Sequence, residues 1–157
     1  MNIIGAALIL ASSLGISVYL ISAGKRRICA CEAVSALITF IKQNIEAFGT
    51  PIDGILDTCR IDYLDNCVFG ETMRQKGLSA AASERILTLG REAQLDFETF
   101  AENIGKGYRD EEIKRCDYYL SRFELHLAEE RERYERYTPM YRYLPPLGAM
   151  SVIIMLL

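Results

Sequence analysis

The chain has 157 residues, half of them apolar, and a formal net charge of −3 at neutral pH. This length predicts a single domain with a packed core. The mild acidity and the lack of a basic stripe exclude a nucleic-acid-binding surface. The five cysteines are odd in number, and we interpret them as reduced, buried apolar residues.

The first predicted element is an uncharged apolar run from Ile3 to Ala23, which is long enough to cross a bilayer as a helix. A secretory signal peptide is the rival interpretation, but it requires positive charge before the apolar run. Here Lys25, Arg26 and Arg27 follow the run. Because positive residues beside a span stay in the cytoplasm, residues 1–24 are predicted to be a transmembrane helix with the N-terminus outside.

Helical periodicity recurs over residues 25–142, whereas the alternation typical of strands is nearly absent. A helix is predicted over residues 28–48, ended by Gly49, and it continues the first span if Gly24 does not break it. Its apolar stripe consists of Val34, Leu37, Ile38, Ile41, Ile45 and Phe48. Thr50 and Pro51 then predict the cap and first residue of a short helix that fades near Arg60. Another short helix is predicted over residues 63–76, with Gly77 as its stop.

Two longer helices complete this region. Ser79 or Ser83 is predicted to cap a helix that runs to about Ile104. The GKGY sequence of residues 105–108 predicts a turn, and Asp110 is predicted to cap a long charged helix. The apolar positions of the first of these helices are Ile86, Leu89, Ala93, Phe97, Phe100 and Ile104, and those of the second are Ile113, Cys116, Leu120, Phe123, Leu127, Tyr134, Tyr137, Tyr141 and Leu144. Such matching seams beside a short turn predict antiparallel neighbours in an all-α, antiparallel helical bundle.

The last ionisable side chain is Arg142, and the uncharged Leu144–Leu157 segment follows it. A second span here returns the C-terminus to the outside, so residues 25–142 form a cytoplasmic bundle between membrane segments at 1–24 and 143–157. The predicted membrane-edge anchors are Lys25, Arg26, Arg27, Tyr141, Arg142 and Tyr143. Fourteen helical residues rise only about 21 Å, whereas the hydrocarbon core measures about 30 Å, so a half-inserted or re-entrant tail is the alternative. Thr138–Pro139 predicts a kink, and Pro145–Pro146 predicts a break.

Catalytic patterns are missing from the sequence. The single histidine, His126, is interpreted as a half-exposed helix residue, since a metal site needs companions. The GKGYR sequence lacks the strand and the Lys-Ser/Thr ending of a phosphate loop. The adjacent Glu111 and Glu112 point apart on a helix and are interpreted as a solvated face. We therefore expect no enzyme, no cofactor and no metal site.

Three segments carry a resemblance that extends over essentially the whole chain: LITFIKQNIEAFGTPI at residues 37–52, IGKGYRDEEIKRC at 104–116 and MYRYL at 140–144. They resemble the stage III sporulation protein AB family of endospore-forming Firmicutes. The chain departs from the family pattern at Pro139 and at Pro145–Pro146, which bears on the geometry of the second span.

The resemblance implies a helical cytosolic domain similar to the F domain of type II secretion and type IV pilus platform proteins. It implies residence in the mother-cell membrane around the forespore, among membrane lipids and the other stage III A proteins. The implied function is a non-enzymatic platform for the AA-type secretion ATPase. A membrane-anchored sensor that binds a small molecule, or responds to oxidation at Cys29 and Cys31, is the alternative.

Overall fold

The structure is a computed structural model that describes residues 3–48 and 52–156. Over these residues the chain forms helices and no strand, which confirms the predicted all-α class. The helices are α1 (Ile3–Phe48), α2 (Ile52–Thr58), α3 (Asp62–Asp65), α4 (Val68–Lys76), α5 (Leu78–Ser83), α6 (Arg91–Asn103) and α7 (Arg109–Leu156). Two compact units divide the chain: the terminal unit comprises Met1–Arg26 with Glu129–Leu157, and the bundle comprises Arg27–Ala128.

Helix α1 continues without a break through Gly24, so the helix predicted over residues 28–48 is an extension of the apolar N-terminal run. The predicted stripe of this helix lies in the core of the bundle. The buried members are Val34, Leu37, Ile38, Ile41 and Ile45. Phe48 falls outside the described side chains. Spacings of three and four residues therefore identified the buried face of α1.

Helix α2 agrees with its prediction, because it buries Ile55 and Leu56 and ends at Thr58. Gly49, Thr50 and Pro51 lie outside the described residues. The helix end at Gly49 and the cap at Thr50–Pro51 therefore stay predictions.

The single helix predicted over residues 63–76 is wrong, because α3 and α4 occupy this region with an extended Cys67 between them (φ −108°, ψ 157°). The chain turns back so sharply that a Cβ on Gly70 would lie 2.7 Å from the carbonyl oxygen of Leu64. In a continuous α-helix, residues six positions apart are separated by a rise of about 9 Å along the helix axis. The predicted stop at Gly77 is confirmed, and its φ of +86° is a conformation that favours glycine.

The helix predicted from Ser79 or Ser83 to Ile104 is also wrong at its start. Helix α5 ends at Ser83, and an irregular loop follows in which Arg85 has a φ of +52°. Helix α6 then begins after Gly90, which is extended. Ile86 and Leu89 therefore pack against the core from a loop rather than from a helical face, and Leu87, which the helical pattern missed, is buried there.

Helices α6 and α7 form the predicted antiparallel pair around the GKGY turn. The ring centroids of Phe97 and Phe123 are 6.5 Å apart, and those of Phe100 and Tyr119 are 5.4 Å apart. A later residue of α6 therefore contacts an earlier residue of α7, as in an antiparallel pair. The side chain of Lys42 ties α7 to α1 through Asp117, with 2.7 Å between Nζ and Oδ1. These contacts give the bundle a core that α1, α6 and α7 share.

The break predicted at Pro145–Pro146 is wrong, because α7 continues through Pro139, Pro145 and Pro146 to Leu156. Each proline removes one backbone donor, and the hydrogen bonds on either side of it can still hold the helix together. Apolar helices tolerate proline in this way when neighbouring groups satisfy the freed carbonyls. The kink at Thr138–Pro139 stays a prediction.

Candidate functional site

All six predicted membrane-edge anchors lie at exposed positions of α1 and α7. Tyr141 is 37% exposed and Tyr143 is 61% exposed, and the ring of Tyr141 stacks on that of Tyr137 at 6.0 Å. Exposure is what an anchor requires, and the role of these residues at a membrane edge stays a prediction.

The terminal unit is a pair of helical segments in close contact. A Cβ on Gly24 would lie 2.9 Å from Cδ2 of Tyr134, so only glycine fits against that ring without a shift. Further along the pair, Ser13, Ser17 and Ala149 are buried. Small residues let two helix backbones approach closely, as they do between helices in membranes. The seam of this unit is therefore of the kind that membrane helices use.

An apolar groove runs along the outside of the same pair. It has a volume of about 470 Å³ and is lined by Leu8, Ser12, Ser13, Ile16, Pro145, Gly148 and Ala149. Because Tyr134 meets Gly24 and the residues near 147 meet those near 12, the two segments are antiparallel.

The antiparallel pairing puts the predicted anchors of α1 and those of α7 at two different levels along the axis of the pair. Arg142 follows Tyr134 by eight residues, and Ile16 precedes Gly24 by the same number, so Arg142 lies level with Ile16. Eight helical residues rise about 12 Å. Tyr141, Arg142 and Tyr143 therefore lie about 12–15 Å further along the pair than Lys25.

In the bundle, a polar cluster joins α6 to α7. Oδ2 of Asp96 accepts hydrogen bonds from Nε of Arg122 (3.0 Å) and lies 2.7 Å from Nε2 of His126. His126 is only 8% exposed, so the interpretation of a half-exposed residue is wrong. Burial of this histidine depends on a carboxylate from another helix, and the sequence pattern alone did not indicate which carboxylate that is.

The GKGY turn contains a second buried polar group. Glu112 is 4% exposed, so its interpretation as part of a solvated face is wrong. Its Oε1 accepts hydrogen bonds from the N–H of Gly107 and from Nη1 of Arg115, each at 2.6 Å. Burial raises the pKa of Glu112, but the hydrogen bonds from Arg115 and from the backbone of Gly105 and Gly107 outweigh it, and the pKa is lowered.

The same turn corrects the predicted cap of α7. The helix begins at Arg109, so Asp110 lies inside its first turn rather than before it. Oε2 of Glu111 instead accepts a 3.4 Å hydrogen bond from the N–H of Tyr108. A glutamate that reaches back to the residue before the helix is one half of a capping box.

The cysteines are free thiols; Cys31, Cys59 and Cys116 are buried, and Cys29 and Cys67 are partly buried. Burial raises the pKa of Cys116 to about 11 and also raises the pKa of Cys59. At neutral pH these two thiols are protonated and therefore poor nucleophiles. Their placement agrees with the interpretation of the cysteines as core residues.

Within the described ranges, 3–48 and 52–156, no three His, Cys, Asp or Glu side chains come together as metal ligands. By length and composition, one helix of these ranges, α1, could cross a membrane.

The fold and these groups define an all-α protein with an apolar N-terminal helix and a helical bundle in which the buried His126 and Glu112 each have a hydrogen-bond partner. The chain belongs to the stage III sporulation protein AB family, whose model matches residues 2–157. This match confirms the resemblance and gives the protein a role associated with sporulation. The family is not a known enzyme family. No curated protein and no solved structure matches the chain.

Proposed function

We propose that this protein is a non-enzymatic membrane platform of sporulation, which holds a cytosolic secretion-type ATPase against a channel between mother cell and forespore. Both terminal segments cross the mother-cell membrane around the forespore, and the bundle lies in the cytoplasm. Family membership supports the setting in sporulation.

The observation that carries this proposal is the pairing of the two ends of the chain in one compact unit. Residues 27–128 form a second unit with its own core, so the apolar ends are not required as the core of the bundle. Ends that pair through Gly24, Ser13 and Ser17 can insert together as two antiparallel spans. The continuity of α7 also lengthens the second span beyond the fourteen residues counted from Leu144.

The orientation rests on charge. Lys25, Arg26 and Arg27 adjoin the first apolar segment on its bundle side, where cations stay in the cytoplasm. The exposed alternating charges of Arg131–Arg136 adjoin the second segment on the same side, and Arg136 pairs there with Glu132 at 2.8 Å. Both termini are then outside.

Reporter fusions test this orientation. A periplasmic-type phosphatase fused after Leu157 should be active, and the same phosphatase inserted at the exposed Lys106 in the turn before α7 should be inactive. Activity at Lys106, or inactivity at the C-terminus, would contradict the double span.

We propose that the ATPase docks on α7. Tyr118 (59% exposed) and Leu125 (61% exposed) are seven residues apart, so they share one face of the helix. Contiguous exposed apolar surface marks protein–protein contacts, and we propose that these two side chains belong to one such contact. We expect Leu125→Glu to abolish co-purification of the AA-type ATPase with the full-length protein.

The matched control is Gln75→Glu, which adds the same charge at an exposed position on α4. It should leave co-purification unchanged. If the wild-type protein does not retain the ATPase under any condition in which the bundle is folded, the platform proposal fails.

A further inference from the structure

The terminal unit presents an exposed cation, Arg142. Among the described residues none forms an ion pair or a side-chain hydrogen bond with it. Counting from the contact between Gly24 and Tyr134, the residue level with it on α1 is the apolar Ile16, which is 55% exposed. Under the proposed double span, Arg142 lies about 12 Å beyond the level of Gly24, at the depth of the lipid chains. A charge at that depth is costly unless it reaches a partner.

The direction of α7 allows the side chain of Arg142 to reach a partner at the membrane surface. Side chains of a helix lean toward its N-terminus, which is the cytoplasmic side under the proposed orientation. A long arginine side chain can therefore extend back toward the headgroups while its methylene groups stay in the apolar layer. The group that meets a guanidinium at this boundary is a lipid phosphate, which arginine binds through two parallel hydrogen bonds.

The apolar groove of the terminal unit lies on the same face of α7 as this arginine. Pro145 and Ala149 line the groove, and they follow Arg142 by three and seven residues, which puts all three on one face of α7. The groove extends away from the cytoplasmic side, along Ser12 and Leu8. The space over Gly148 is open, because a Cβ there would meet nothing within 4 Å, so a larger side chain at this position would project into the groove. A charged site at the mouth of an apolar groove fits a molecule with a phosphate and a long hydrocarbon chain.

We propose that Arg142 and this groove bind one glycerophospholipid of the cytoplasmic leaflet, with the phosphate on the guanidinium and an acyl chain along Ile16, Pro145 and Gly148. The inference rests on the proposed insertion of both terminal segments. It assigns Arg142 a ligand-binding role, in which only the guanidinium reaches the membrane edge and the backbone lies deeper.

The test is native mass spectrometry of the full-length protein in a non-ionic detergent, titrated with phosphatidylglycerol. Arg142→Gln removes the charge, and Gly148→Leu fills the groove; each should weaken binding about 10-fold or more, as the loss of a charged hydrogen bond predicts for Arg142→Gln. The controls are Arg136→Gln, which removes an exposed cation paired with Glu132, and Gly15→Leu, which adds the same side chain where a Cβ also meets open space. Both controls should bind within about twofold of the wild type, as surface changes do.

Two further probes separate the parts of the ligand. Diacylglycerol, which lacks the phosphate, and inorganic phosphate, which lacks the chains, should each fail to compete with phosphatidylglycerol. Competition by inorganic phosphate at equal strength would overturn the lipid assignment in favour of a simple anion site. If Arg142→Gln instead releases a co-purified membrane protein and leaves lipid affinity unchanged, the partner of Arg142 is a protein carboxylate and the inference is wrong.

Flotation with vesicles of phosphatidylglycerol and phosphatidylethanolamine distinguishes this inference from the proposed function. A wild-type protein that does not float with the vesicles contradicts insertion itself. If the protein floats and Arg142→Gln and Gly148→Leu bind phosphatidylglycerol as the wild type does, insertion stands and only the lipid site is refuted.

Discussion

Replacement of Glu112 by glutamine tests whether the buried carboxylate at the GKGY turn stabilises the bundle. In the wild type, Oε1 accepts two hydrogen bonds of 2.6 Å, from the N–H of Gly107 and from Arg115. The amide keeps the shape of the side chain but makes neutral hydrogen bonds, which contribute about 1 kcal/mol less each than charged ones. We therefore expect Glu112→Gln to lower the free energy of unfolding by about 2 kcal/mol at pH 7.

The pH dependence of this effect has a definite sign. The pKa of Glu112 in the folded protein lies below its usual value of 4.5. A lowered pKa means that the carboxylate stabilises the fold fully above pH 4.5 and that this contribution is lost as the pH falls through the lowered value. The glutamine variant has no such contribution to lose. The difference between the two proteins should therefore shrink in acid.

The assay is urea unfolding of the full-length protein in detergent, followed by circular dichroism at pH 7 and at several values below pH 4.5. The matched control is Glu111→Gln, because that neighbouring carboxylate is exposed and makes only a 3.4 Å hydrogen bond. We expect less than about 0.5 kcal/mol for the control. A difference for Glu112→Gln that stays constant down to the lowest pH would refute the electrostatic reasoning and leave a packing effect as the cause.

Three other predictions concern the bundle. Phe97→Ala removes a ring that is 1% exposed and should cost about 3–5 kcal/mol, measured by thermal unfolding; a loss below about 1 kcal/mol would show that the core is not packed as described. Asp96→Ala leaves the buried His126 without its 2.7 Å partner and should cost about 1–3 kcal/mol, whereas the double variant with His126→Leu should recover part of this loss. Cys116, whose pKa burial raises to about 11, should resist iodoacetamide in the folded protein and react after unfolding, as mass spectrometry can show; rapid labelling of the native protein would argue for a thiol sensor.

Sequence reasoning succeeded where one local pattern decides the outcome. The stripe of α1 was predicted because apolar residues spaced by three and four leave a helix only one face to bury, and Val34 and Ile41 lie on it. The stop at Gly77 followed from the conformational freedom of glycine. Family membership likewise followed from segments that can be read along the chain.

The same reasoning failed where the outcome depends on groups far apart in sequence. His126 can be buried because Asp96, thirty residues away, lies within hydrogen-bonding distance of its ring. Glu112 can be buried because the turn brings the N–H of Gly107 and the guanidinium of Arg115 to its carboxylate. Histidine and glutamate side chains are usually exposed. They become buried only where folding brings a hydrogen-bonding partner to them.

What the amino-acid order determined by itself is the class of the protein: apolar runs at both ends, helical periods between them and the segments that define its family. Only the tertiary structure decided that the two ends pair through Gly24 and Tyr134, that α7 passes its prolines without a break, and that Arg142 is level with Ile16. Periodicity is a property of neighbours along one helix, whereas register and burial depend on which surfaces two helices bring into contact.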